Sequence, residues 1–182
     1  MTTREQGGLL TTPDGTTFTV VESGADNGGE RITFEITMAA RSPGPPRHVH
    51  PEQVESWEVL DGELSLLVAD EWRTLAAGET LTIPPGTVHT LRNRSEAPVR
   101  LLDIHEPALD FQDYIEDLDR LTRTGKLRAK RSLGGAIHGA MVLVAHRPMQ
   151  ITADRKMRIA ETVLARTGRL LGRRQARRLH RI

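Results

Sequence analysis

The hydrophobic period of the chain changes once, near Pro107. Before that point apolar residues alternate with polar ones in short runs, and after it they recur at three- and four-residue spacing. The clearest alternation is Arg31 to Ala39, where Ile32, Phe34, Ile36 and Met38 share one face and Thr33, Glu35 and Thr37 the other. Further strands are expected at Thr16 to Val21, Glu55 to Leu60, Glu63 to Val68, Thr80 to Ile83, Thr87 to Leu91 and Val99 to Ile104. Turn residues separate them: Pro13-Asp14-Gly15, the loop Gly24 to Gly29, Asp61-Gly62, Asp70-Glu71 and Pro84-Pro85-Gly86. Asp61-Gly62 between two such runs is a strong hairpin signal. Many short strands with no helix between them predict a mainly β, antiparallel sandwich or barrel. It should occupy residues 9–107, behind a flexible N-terminus of residues 1–8.

Beyond Pro107 the period is helical. Asp110 can cap a helix carrying Phe111, Ile115 and Leu118 on one side, with Gly125 as its stop. A second helix is expected from Lys130 to His146, ended by Pro148, and a third from Thr152 to Leu171 with Ile159, Val163, Leu164, Leu170 and Leu171 as its apolar side. The second is apolar around most of its circumference, so it should be buried on the barrel or against a partner subunit. Residues 108–182 thus form a C-terminal helical extension.

The candidate chemistry lies between Gly44 and Asn93, which holds three of the seven histidines. His48 and His50 point to the same face of a strand, because side chains alternate along it. Pro51 interrupts the ladder before Glu55, and His89 arrives on a separate strand straight after a turn. Three imidazoles and a carboxylate make a transition-metal site of nitrogen and oxygen ligands. Such a set suits Fe, Mn, Ni, Zn or Cu without choosing among them. Trp57 shares the face of Glu55 and is expected near the metal. His105 ends the last strand, matches no motif and is read as structural or exposed; His138, His146 and His180 are given no role.

The same residues resemble the cupins. The second cupin motif, G-x5-P-x-G-x2-H-x3-N, is matched by Gly78, Pro84, Gly86, His89 and Asn93. In the first, G-x5-H-x-H-x(3,4)-E-x6-G, His48, His50, Glu55 and Gly62 are correctly spaced, while Gly44 stands closer to His48 than the pattern has it. The resemblance implies a jelly-roll barrel with His48, His50, Glu55 and His89 as ligands of one divalent transition metal ion. It also implies an apolar pocket beside the metal, for which Phe34, Ile36, Met38 and Trp57 are the candidates. Cupins commonly pair through their edge strands, and edge strands need cover, so a homodimer is expected.

Composition narrows the picture further. The chain has no cysteine, which excludes disulfides and thiolate metal sites. The start lacks an apolar leader core, and the longest apolar run, Ala140 to Ala145, is far short of the ~20 residues that span a bilayer, so a cytoplasmic protein is expected. The net charge of +1 divides unevenly: 8 basic minus 17 acidic gives −9 through Glu106, and 17 minus 7 gives +10 from Pro107 onward. The basic end, Arg166 to Ile182, holds seven arginines and no acid, but none of the chain's six aromatics follows Tyr114. With nothing to stack on bases, that end reads as a solvated face, and neither nucleic acid nor a membrane is an expected partner. A small-molecule substrate or ligand is. The leading expectation is a mononuclear metal-dependent dioxygenase, with Glu55 both ligand and proton acceptor. The alternatives are an isomerase, cyclase or lyase using the ion as a Lewis acid, and a non-enzymatic binder or sensor.

Overall fold

Alternation governs the strands of the computed structural model, which describes residues 8–128 and 132–172. Expectations for residues 1–7, for Lys130 and for His180 and the arginines beyond Gly172 lie outside the described residues. The strands are Leu10–Thr11 (β1), Thr17–Glu22 (β2), Ile32–Met38 (β3), His48–Val49 (β4), Val54–Asp61 (β5), Glu63–Val68 (β6), Glu71–Ala76 (β7), Thr80–Ile83 (β8), His89–Arg92 (β9), Val99–Glu106 (β10) and Ile151–Thr152 (β11). The helices are Phe111–Arg123 (α1), Leu133–Ala145 (α2) and Arg155–Leu170 (α3). One antiparallel sheet runs β1-β2-β3-β10-β5-β8 and the other β11-β4-β9-β6-β7. The fold is mainly β with C-terminal helices, as the change of period at Pro107 predicts.

The inward face of the first sheet is set by register. Met38, Ile36, Phe34 and Ile32 on β3 stand beside Val99, Leu101, Asp103 and His105 on β10, and these in turn beside Val59, Trp57 and Glu55 on β5. Leu64, Leu66 and Leu91 of the second sheet complete one core. Burying each such aliphatic side chain is worth roughly 1.5–3 kcal/mol. Phe111, Tyr114, Ile115, Val142 and Met149 belong to this same core, so α1 and α2 are continuous with the barrel interior.

The helices depart from the sequence reading in three respects. Asp110 occupies the N-cap of α1 but makes no capping bond; its carboxylate instead meets His146 Nδ1 at 2.6 Å. The third helix begins at Arg155 rather than Thr152, because Ile151 and Thr152 pair with β4 as β11. Much of its expected apolar side faces outward: Ile159, Val163, Leu170 and Leu171 are 56, 57, 87 and 62% exposed, while Leu164 packs on α2 and Glu161, Ala165 and Gly168 are buried. Close approach explains the inversion. A Cβ at Gly168 would lie 2.5 Å from Met141 Sδ, so α3 can seat on α2 only through its small residues.

Two motif residues hold backbone rather than ligand. Asn93 is buried and donates from Nδ2 to the carbonyls of Met38, Ala39 and Ala97, at 3.3, 3.0 and 2.7 Å, while its Oδ1 accepts from Ser95 N. Gly44 has φ +67°, and a Cβ there would fall 1.7 Å from the Leu91 carbonyl oxygen. The altered spacing before His48 therefore still places a glycine where only glycine fits. Asn93→Ala should lower unfolding free energy by about 3 kcal/mol, the upper end of the cost of stranding buried polar groups, measured by chemical denaturation.

Candidate metal centre

Both sheets contribute to the site. His48 lies on β4 directly opposite His89 on β9, and His50 follows one residue after β4 ends. Glu55 comes from β5 of the other sheet, between Ile83 on β8 and His105 on β10. Local sequence explains the offset between His50 and Glu55: the Pro51 bend moves the chain from one sheet to the other. Candidate ligand atoms of His48, His50, Glu55 and His89 lie within 4.8 Å of one another, and none of the four residues is more than 3% exposed. Metal–ligand bonds of roughly 2.0–2.2 Å put donor atoms about 3–4 Å apart around one ion, which this cluster accommodates.

The imidazoles are oriented by backbone. His48 Nδ1 lies 2.8 Å from the Pro46 carbonyl, His50 Nδ1 2.9 Å from that of Met149, and His89 Nδ1 2.8 Å from that of Thr87. A carbonyl only accepts, so each Nδ1 carries a proton and each ring, when neutral, turns the lone pair of Nε2 to the centre. His50 Nε2, His89 Nε2 and Glu55 Oε2 are buried without a hydrogen-bond partner. His89 Nε2 and Glu55 Oε2 are 2.7 Å apart, within ion-pair distance. The candidate ligand atoms thus share one buried space in which a cation could sit. A buried group of this composition can hold a metal ion.

Electrostatics divides the histidines. Burial, reinforced by His89, pushes His48 down to about 3, and burial pushes His50 down to about 4, so both are neutral near neutrality. Burial also pulls on His89, but contact with the Glu55 carboxylate more than reverses it and the net shift is upward. Burial raises Glu55, and the surrounding His105, His89 and His50 outweigh it, holding the carboxyl below the ordinary carboxylate range.

His105 is neither exposed nor remote. It is fully buried, with Nε2 3.3 Å from Asp103 Oδ2 and 3.7 Å from Glu55 Oε1, and its ring stacks on Phe111 at 3.7 Å between centroids. Asp103, which the sequence reading passed over, is buried beside it. Both carry a visible signal: they continue the inward alternation Val99, Leu101, Asp103, His105. Burial raises Asp103 against the pull of His105; burial lowers His105, and Asp103 and then Glu55 bring it back above its ordinary value.

Of the four pocket candidates, Trp57 lies nearest, its ring 5.6 Å from that of His89. Phe34 packs edge-on against Phe111 at 5.9 Å and is next to Asp103 in register. Ile36 and Met38 lie further along β3, beside Leu101 and Val99, as members of the hydrophobic core. His146, given no role from sequence, is buried and bridges two carboxylates, Asp110 through Nδ1 and Asp117 through Nε2 at 3.2 Å.

A two-sheet antiparallel barrel with an inward cluster of imidazoles and a carboxylate defines a class of small β-barrel proteins built around a metal-type site. Residues 34–105 match the family model of the cupin domain, and the chain carries a cupin domain. It is 30% identical over 105 residues to a mannose-1-phosphate guanylyltransferase from Salmonella muenchen, which is 57% of this chain and 21% of that protein. It is 37% identical over 79 residues to quercetin 2,3-dioxygenase from Bacillus subtilis, 42% of this chain and 23% of that enzyme. The chain thus spans less than a quarter of the length of either relative. KdgF from Halomonas sp. superposes with a TM-score of 0.51 at 16% identity, covering 58% of this chain and 90% of that one, a likeness of fold.

His50→Ala and His89→Ala should each purify nearly metal-free, read by elemental analysis of the purified protein against wild type. The pH dependence of loading should follow His89. His48 and His50 stay neutral down to about 4, so they do not compete with the ion for protons at neutrality, whereas His89 holds a proton above its ordinary pKa and must release it. Zinc binding should therefore release protons, and affinity should fall as the pH is lowered. Calorimetry in buffers of different ionisation enthalpy measures both.

Proposed function

We propose that the protein is a mononuclear metal-dependent dioxygenase acting on a small organic substrate. The observation that carries this reading is the convergence of three backbone-oriented Nε2 atoms and one ionised carboxylate on a single point inside the barrel. The partial similarity to quercetin 2,3-dioxygenase supports the choice of oxygen chemistry over other cupin activities. A divalent transition metal bound by His48, His50, Glu55 and His89 would supply Lewis acidity and, for a redox-active ion, reactivity towards dioxygen.

The chain's own residues do the rest. The backbone carbonyls of Pro46, Thr87 and Met149 hold the three rings in the tautomer a metal needs. Glu55 is surrounded by groups that favour its charge, so it serves as an anionic ligand and is a weak proton acceptor. Trp57 and Phe34 form the apolar wall nearest the donors, and Phe111 covers His105 and His50.

A second reading has its own support. The donors are almost completely buried, which suits a metal-containing binder or sensor that turns nothing over. Oxygen uptake separates the two. Protein loaded in turn with Fe, Mn, Ni, Zn or Cu should consume oxygen with a phenolic or diketone substrate for at least one redox-active ion, and Glu55→Gln should abolish it. Turnover without oxygen consumption would move the assignment to Lewis-acid isomerase, cyclase or lyase chemistry, and no turnover of any substrate to the binder.

A further inference from the structure

The short strand β4 carries His48 and delivers His50, and the barrel holds this segment by few bonds, among them one from Gly86 N to the His50 carbonyl at 2.8 Å. On one side its register contact with β9 is the single pair His48 and His89. On the other side it is held by the extension, where Ile151 and Thr152 of β11 pair with Val49 and His48, and Ala153 N donates to the Arg47 carbonyl at 2.8 Å. The acceptor that orients His50 also comes from the extension, as the Met149 carbonyl, 99 residues away in sequence.

The segment from His146 to Ala153 is in turn fixed by the helices around it. Thr152 Oγ1 donates to Glu161 Oε1 of α3 at 2.6 Å in a buried contact. Arg158 Nη1 donates to the carbonyls of Thr152 and Ala153, each at 2.9 Å. At the other end, the His146 bridge to Asp110 and Asp117 ties the exit of α2 to α1. Met149, Gln150 and Thr152 are all buried, so the segment is a packed strap rather than a surface loop.

We infer that this strap is a positioning element of the metal centre: the C-terminal extension sets the orientation of His50 and the placement of His48, and thereby the affinity for the ion. The inference rests on the reading of His48, His50, Glu55 and His89 as metal donors. The carbonyl that holds His50 moves with the strap, whereas the one that holds His89, from Thr87, belongs to the barrel turn before β9. A disturbance of α3 contacts should therefore reach His50 and spare His89.

The test uses full-length Arg158→Met, which removes both bonds to the strap carbonyls, and Thr152→Val, which removes the buried bond to Glu161 while keeping the side chain's shape. Ile159→Gln, on the outer face of α3, is the control. Zinc affinity measured by chelator competition should fall by up to about tenfold in the first two variants, the low end of the cost of losing a ligand's outer hydrogen bond, because both act on His50 through the strap. In histidine-labelled, metal-free protein, exchange of the His50 Nδ1 proton should accelerate while that of His89 stays at the wild-type rate. Variants with a lowered melting temperature but wild-type zinc affinity and an equally protected His50 proton would overturn the inference and leave the strap as packing alone. If wild-type protein binds no zinc, the donor assignment falls, and the exchange of the His50 proton in metal-free protein still decides whether the strap orients that ring.

Discussion

Everything at the centre of this barrel depends on one constraint: a buried imidazole must be told which nitrogen to protonate. In water a histidine ring chooses freely, but in a dry interior a bare N–H costs the desolvation of an unmet donor. Three backbone carbonyls remove the choice for His48, His50 and His89. Two of them, from Pro46 and Thr87, stand two residues before the ring they hold, so the loop that brings in each strand also sets its tautomer. The proline-rich approach to β4 and the Pro84-Pro85-Gly86 turn before β9 are stiff for a reason that lies inside the barrel.

Charge is balanced by the same economy of neighbours. Each carboxylate at the barrel centre has a histidine beside it: Glu55 faces His89, and Asp103 faces His105. His48 and His50, with backbone for partners, stay neutral. The two pairs are not independent, because His105 Nε2 also lies 3.7 Å from Glu55 Oε1. Asp103 and His105 thus let a second carboxylate sit beside Glu55 without an unbalanced charge in the core.

Much of this was legible because the barrel obeys period two. The alternation of Arg31 to Ala39 and the Asp61-Gly62 hairpin lead directly to the observed strands, and the spaced motif residues converge as their spacing implies. His105 was readable too, since it continues the alternation from Val99, but a motif-centred reading set that signal aside. Other features have no local signature. β7 is an edge strand with five of six residues exposed, so Glu71 to Ala76 lacks an apolar face to betray it. β11 is two residues long and exists only because β4 lies next to it. The orientation of α3 is decided by how closely Gly168 and Ala165 approach α2, a matter of volume rather than of hydrophobic count.

The distance in sequence between His50 and the Met149 carbonyl has a consequence for how the protein is made. Chains emerge from the ribosome N-terminus first, and their early segments begin to fold before the later ones exist. When the last barrel strand has been synthesised, all four candidate donors are present, but the His50 ring has no acceptor and β4 has a bare edge. The nascent barrel is therefore complete in composition and unfinished in geometry. Translation must continue past α2 before the centre can take its final form.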